Sequence, residues 1–303
     1  MNKRAVLTIS LLLLIFASVA VESQADQRLT VIASIHPLSD IIKNIGKDRI
    51  NSAALLPPGA SPHIFEPTPS TMRTIRQAKI FFKIGAGLEL WADRIIKSAS
   101  AENLRVVDLS ETMPLLYSTH NHKSKVGHKN NGSHPDPHYW LDPVLCIRIV
   151  DKIAEGLSSI DPASKAYYMK NAASYKKELG ELNKEIKSRV DGFSHREYVT
   201  FHSAWRYFSE RYNLKILGVI EDAPGREPTP KNISNIISSL KKSNAKVVFA
   251  EPQFNPKIAA AIAKEAGARV IFLDPIGSPQ DSRTNTYINL MKFNIGQMQQ
   301  GMK

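Results

Sequence analysis

Four side chains in this sequence stand where they can reach a common point. His63 lies in PPGASPHIFEP, His138 in DPHYWLDP, His202 directly after YVTF, and Asp274 directly after RVIFL. Each follows a run that reads as a β-strand or closes a loop, and open α/β sheets bind ligands beyond the carboxyl ends of their strands. Three imidazoles and one carboxylate make a tetrahedral N3O donor set, which suits zinc. A fourth protein ligand points to a closed site that holds its ion, because catalytic zinc usually keeps three protein ligands and an open water position. The four residues are scattered over most of the chain, so two parts of the molecule must meet to close the set. The sequence has no H-E-x-x-H, G-x-S-x-G or P-loop, and Gly85–Leu90 lacks the third glycine of a dinucleotide fingerprint. The reading is therefore a binding protein, not an enzyme.

The elements that must position these residues come in two similar series. Leu29–Ser34, Ile50–Leu56, Lys79–Ile84 and Arg105–Leu109 read as strands, with helical patterns at 37–45, 69–78 and 88–98 between them. A second series, Tyr198–Phe201, Leu214–Val219, Lys246–Ala250 and Arg269–Leu273, alternates with helical patterns at 204–212, 230–243, 256–266 and 284–300. Strand–helix alternation predicts parallel sheets, hence an α/β chain of two Rossmann-like lobes. Between them, 143–160 is helical, and Asp161-Pro162 opens a long helical pattern as N-cap and first turn. Tyr168, Ala172, Tyr175, Leu179, Leu182 and Ile186 fall on one face of that helix. The expected division is an N-terminal lobe over 26–160, a linking helix over 161–192 and a C-terminal lobe over 193–303, with the metal site in the cleft between lobes.

Residues 118–137 carry no apolar periodicity and are rich in His, Lys, Asn, Gly and Ser, which predicts a mobile surface loop. Its histidines are His120, His122, His128 and His134, ahead of His138. Residues 1–25 have a basic start at Lys3 and Arg4, an apolar run from Ala5 to Val21, and small residues at Ser18-x-Ala20 or Ser23-x-Ala25, the pattern of an export signal. No cysteine lies near either cleavage point, so lipid attachment there is not expected, and a periplasmic location is. The single Cys146 excludes an intrachain disulfide and falls in an apolar helical run, where a buried, inert thiol is expected. Forty basic against 28 acidic residues give a formal charge of +12. The basic residues are scattered singly along polar faces, so the charge serves solubility, and no nucleic-acid partner is expected.

Seven stretches carry a more specific likeness: GASPHIFEPTPS (59–70), IGAGLELW (84–91), DPHYWLDP (136–143), FHSAWRYFSERYNL (201–214), EDAPGREPTP (221–230), FAEPQF (249–254) and LDPIG (273–277). Together they make the chain resemble the ZnuA-type zinc-binding component of ABC importers, within the metal solute-binding family. The resemblance implies two (β/α) lobes bridged by a rigid long helix, little hinge closure, and His63, His138, His202 and Asp274 as ligands of a transported Zn2+. It implies an inner-membrane ABC permease with a cytoplasmic ATPase as partner to a monomeric binding protein. Manganese-type members tend to have a carboxylate where this chain has His202; a three-histidine set is more nitrogen-rich and favours zinc. A manganese or iron carrier of the same family and a metal-binding adhesin are the alternatives. Glu66 and Glu251 lie in matching motifs, and either could orient a ligand imidazole. Trp91 and Trp140 are expected in lobe interiors, and His36 and His195 on the surface or at caps.

Overall fold

The computed structural model describes residues 28–101, 103–117, 134–222 and 225–303. The expected signal segment and His120, His122 and His128 lie outside the described residues. Two four-stranded parallel sheets form the frame. The first holds β1 (Leu29–Ala33), β2 (Ile50–Ala54), β3 (Ile80–Lys83) and β4 (Arg105–Asp108), in the order β2-β1-β3-β4. The second holds β5 (Glu197–Thr200), β6 (Lys215–Val219), β7 (Val247–Ala250) and β8 (Arg269–Phe272), in the order β6-β5-β7-β8. Both sheets thus reverse winding direction at the same place, between the first and third strands of the series.

The central strands β1, β3 and β7 are covered on both faces. Val31 and Ala33 of β1, with Ile80 and Phe82 of β3, face an inner core, while Ile32 and Phe81 face an outer one. In the second sheet Val247 and Phe249 face the inner core, and Val248 and Ala250 the outer. The outer layers are α2 (Pro69–Gln77) and α3 (Ala92–Ser98) on the first lobe, and α7 (Pro230–Ser243) and α8 (Lys257–Ala266) on the second. The inner layer is shared. It comprises α1 (His36–Gly46), α4 (Pro143–Ile160), α5 (Lys165–Asp191), α6 (Arg206–Tyr212) and α9 (Tyr287–Met302), which contribute to one contiguous apolar cluster reaching both sheets.

The 27 residues of α5 span about 40 Å at 1.5 Å per residue. Its buried face is Tyr168, Ala172, Tyr175, Leu179, Leu182, Ile186 and Val190, and it packs along α4, α1 and α9. Polar ties cross between the lobes as well. Trp140 Nε1 donates to Pro275 O (2.9 Å), Tyr287 Oη to Trp140 O (2.8 Å), and Tyr287 N to Asp40 Oδ2 (2.8 Å). Arg211 grips both carboxylate oxygens of Asp142. Opening this interface would return fully buried side chains such as Tyr287 and Met291 to water, at about 1.5–3 kcal/mol each.

Three local differences from the sequence reading have clear causes. The helix expected from residue 88 begins at Ala92. Gly85, Ala86 and Gly87 all have positive φ, and Glu89 accepts the amides of Ile84 and Gly85 at 2.9 Å each, so 84–91 is a pinned turn. The helix expected from Asp161 begins with a 3-10 turn at Pro162–Ser164, and Asp161 accepts the Tyr168 hydroxyl (2.7 Å). The last residues of the expected mobile loop are structured: Pro135 pairs with Tyr117 in an antiparallel bridge, and Asp136 is buried.

Candidate metal centre

His63 sits in the segment that leaves β2, after the Pro57-Pro58-Gly59 turn, where Gly59 takes a φ of 78°. His138 opens a short 3-10 turn, His138–Leu141, immediately before α4. His202 follows β5 at the carboxyl edge of the second sheet. The fold brings these three side chains together. His63 Nε2 lies 3.1 Å from His138 Nε2, and His202 Nε2 lies 3.2 Å from the same atom. Among the described residues they are the group of His, Cys, Asp and Glu side chains whose ligand atoms all fall within 4.8 Å of one another. Two imidazole nitrogens on a tetrahedral ion at 2.0–2.1 Å would stand about 3.3 Å apart.

Carboxylates fix which nitrogen carries the proton. His138 Nδ1 lies 2.8 Å from Asp136 Oδ1, and His202 Nδ1 lies 2.7 Å from Glu251 Oε1. An ionised carboxylate only accepts, so each Nδ1 is the N–H and each Nε2 presents its lone pair to the centre. Lone pairs aimed at one buried point repel unless a proton or cation lies between them, so the donor set fits a small divalent ion. The cavity beside them is about 10 Å³, the size of one water or ion. It is lined by the three histidines, Glu251, Gln253 and apolar groups that include Trp140, Phe254 and Ile276.

Burial pushes His63 down to about 2, helped by its two histidine neighbours. Burial also lowers His138, against the opposing charge and hydrogen bond of Asp136. At His202 burial works in the same direction, but the charge and hydrogen bond of Glu251, with help from Asp136 and Glu221, outweigh it and raise this imidazole. Two of the three are thus held neutral and ready to ligate, and His202 holds its proton more firmly.

Asp274 is not in the three-histidine group. It follows β8, and its Oδ1 accepts from Gln253 Nε2 (2.9 Å), Ile276 N (3.0 Å) and Gly277 N (2.9 Å). Asn294 grips its backbone on both sides, accepting from Asp274 N and donating to Asp274 O. The next two residues, Pro275 and Ile276, line the cavity. Of the two glutamates singled out in the sequence, Glu251 orients a histidine and Glu66 is exposed. Asp136 and Glu221 escaped the sequence reading. Asp136 stands two residues before His138, a spacing that could have revealed it; Glu221 follows β6 and is buried with its carboxylate accepting from Gly225 N. Trp140 is buried and also lines the cavity beside His138, whereas Trp91 packs on Phe65. His36, expected on the surface or at a cap, is half-buried as the first residue of α1 and bonds Asn285 O across the lobes (3.1 Å); His195 is exposed.

Known proteins resemble this chain over nearly its whole length. The family model described as "Zinc-uptake complex component A periplasmic" matches residues 31–301. The zinc-binding lipoprotein AdcA of Streptococcus pneumoniae is 27% identical over 99% of this chain and 61% of its own length, so the chain spans about three-fifths of that relative. The manganese-binding lipoprotein MntA of Halalkalibacterium halodurans is 29% identical over 92% of this chain and 90% of its own. The crystal structure of a zinc-bound ZnuA deletion mutant superposes with a TM-score of 0.79 at 29% identity, covering 91% of this chain and 98% of that one. With both sheets, the shared inner layer and the family match in agreement, the chain belongs to the ZnuA family, described as zinc-uptake complex component A, periplasmic.

Proposed function

We propose that this protein captures Zn2+ outside the cytoplasm and delivers it to an ABC permease of the inner membrane, driven by a cytoplasmic ATPase. The mature chain begins at residue 26, works in the periplasm as a monomer, and carries the ion between the lobes formed by 26–160 and 193–303, on either side of the 161–192 helix. The ligands are His63, His138 and His202 through Nε2, with Asp274 through a carboxylate oxygen.

The observation that carries this reading is the meeting of three Nε2 atoms, two of them oriented by carboxylates on Nδ1. Relatives of similar identity are named for zinc and for manganese, so the choice rests on the donors. Three imidazoles with at most one carboxylate suit zinc, whereas manganese favours an oxygen-rich octahedral shell. Capture needs no bond chemistry, only deprotonated ligands at a fixed spacing.

The test is a calorimetric titration of the metal-stripped mature protein with Zn2+ and, in competition, Mn2+. One tight zinc site is expected. His63→Ala and His202→Ala are each expected to weaken it at least tenfold, about 1.4 kcal/mol. Unchanged affinity in both variants sinks the ligand assignment, and a preference for Mn2+ sinks the choice of metal.

A further inference from the structure

We infer that Gln253 restricts Asp274 to a single available oxygen and thereby makes this site select Zn2+ over Mn2+. The inference rests on the reading of Asp274 as a ligand of the captured ion. Asp274 Oδ1 receives three donors: Ile276 N and Gly277 N from its own turn, and Nε2 of Gln253 from the loop after β7. A carboxylate oxygen offers about two lone-pair sites, so three donors leave Oδ1 no room for a cation. Among the described residues Oδ2 takes no such donor.

The direction of approach matters as much as the number. Gln253 lines the same cavity as the three histidines, so its bond to Oδ1 ties Asp274 to a residue of the cavity wall. The two backbone donors come from the turn that follows Asp274. The other end of the amide, Gln253 Oε1, is buried with no partner among the described residues. A buried acceptor left unpaired is costly. The amide is therefore placed for the sake of its N–H on Asp274.

The consequence is a limit on coordination number. Three imidazoles and one carboxylate oxygen complete a tetrahedron, the geometry zinc adopts in closed sites. A bidentate Asp274 would add the fifth ligand and the second hard oxygen that an octahedral, oxygen-seeking ion such as Mn2+ needs. Gln253 withholds that oxygen.

The test uses the full mature chain and two substitutions that keep the length of the side chain but not its donor at neutral pH, Gln253→Met and Gln253→Glu. Two readings are taken: the ratio of Mn2+ to Zn2+ dissociation constants by calorimetry, and the visible absorption of bound Co2+, intense when four-coordinate and weak at higher coordination. The wild-type protein is expected to give intense bands. Either folded variant is expected to reduce the preference for Zn2+ at least tenfold, and to weaken the Co2+ bands. Wild-type preference and spectrum in both variants overturn the inference while leaving zinc capture intact. Unaltered zinc affinity in Asp274→Asn also overturns it, because Asp274 is then no ligand. Absence of any tight zinc site in the wild type, by contrast, removes the proposed function and this inference together.

Discussion

His202 and Glu251 meet across the point where the second sheet reverses its winding. His202 follows β5 and Glu251 follows β7, adjacent strands in the order β6-β5-β7-β8, and their side chains close to 2.7 Å. This crevice is where open α/β sheets place ligands. Here it aims an imidazole lone pair at two histidines delivered from the other half of the chain.

Removing the orienting carboxylate should therefore weaken the site without touching a ligand. Glu251→Ala is expected to lower zinc affinity about 10–100-fold, the usual effect of losing such a partner. Glu251→Gln, whose amide oxygen still accepts from Nδ1, should fall between that variant and the wild type. Calorimetry gives the ranking, and equal affinities across all three would show that Glu251 does not orient His202.

Zinc binding should weaken in acid, with His202 the ligand whose proton competes most strongly with the ion. Burial holds His63 at about 2 and lowers His138, so both are already neutral. His202 is raised by Glu251 against its burial, so as pH falls it is the first of the three to take up a proton in competition with the ion. Titrations in buffers of different ionisation enthalpy count the protons directly.

The same groups set the stability of the metal-free protein. His63 and His138, with lowered values, contribute stability that is lost as pH falls through the ordinary histidine value of about 6.5, where the unfolded chain takes up protons. His202, with a raised value, contributes the opposite: stability present below about 6.5 and lost as pH rises through its folded value. The two windows do not overlap: below about 6.5 only the His63 and His138 contributions change, so the metal-free protein should lose stability on acidification below that value. Denaturant midpoints measured across it would reverse that assignment if they rose.

The ends of the histidine-containing loop are already joined, through the Tyr117–Pro135 bridge and a 2.7 Å bond from Asp136 N to Leu116 O. Tyr207 Oη reinforces this foot by donating to Asp136 O and accepting from Leu116 N. Replacing 118–133 with a short glycine-containing turn should leave zinc affinity within about threefold, under 1 kcal/mol. Loss of the tight site would assign the loop a part in it.

Gly156 on α4 tests the shared core apart from the metal. A Cβ there would come within 2.7 Å of Cε1 and Cζ of Phe82 on β3. Gly156→Ala should cost about 1–3 kcal/mol through overpacking, in spite of alanine's better helix propensity. Zinc affinity of the folded fraction should not change.

Much of this was legible in the residues themselves. Short apolar runs alternating with helical patterns marked all eight strands, most clearly β1, β3 and β7, which bury residues on both faces. The six predicted face positions of the long helix, from Tyr168 to Ile186, are buried as a set, because a 3.6-residue period has one way to meet a core. The three histidines stood out for following strands or closing a loop. Turn chemistry was harder to read: the positive-φ run at 85–87 depends on Glu89 reaching back to two amides.

What the sequence by itself determined is therefore local: element type, the face each element buries, and which side chains stand at the carboxyl ends of strands. These follow from periodicity and from backbone preferences carried by neighbouring residues. The tertiary structure alone decided the rest. It set the strand order that puts Glu251 beside His202, the packing of α5 and α9 that fuses two lobes over one core, and the turn that gives Asp274 Oδ1 to Gln253. Those relationships join residues tens to hundreds of positions apart. No spacing encodes them, because they arise only when crossover connections and a common core bring the strand ends together.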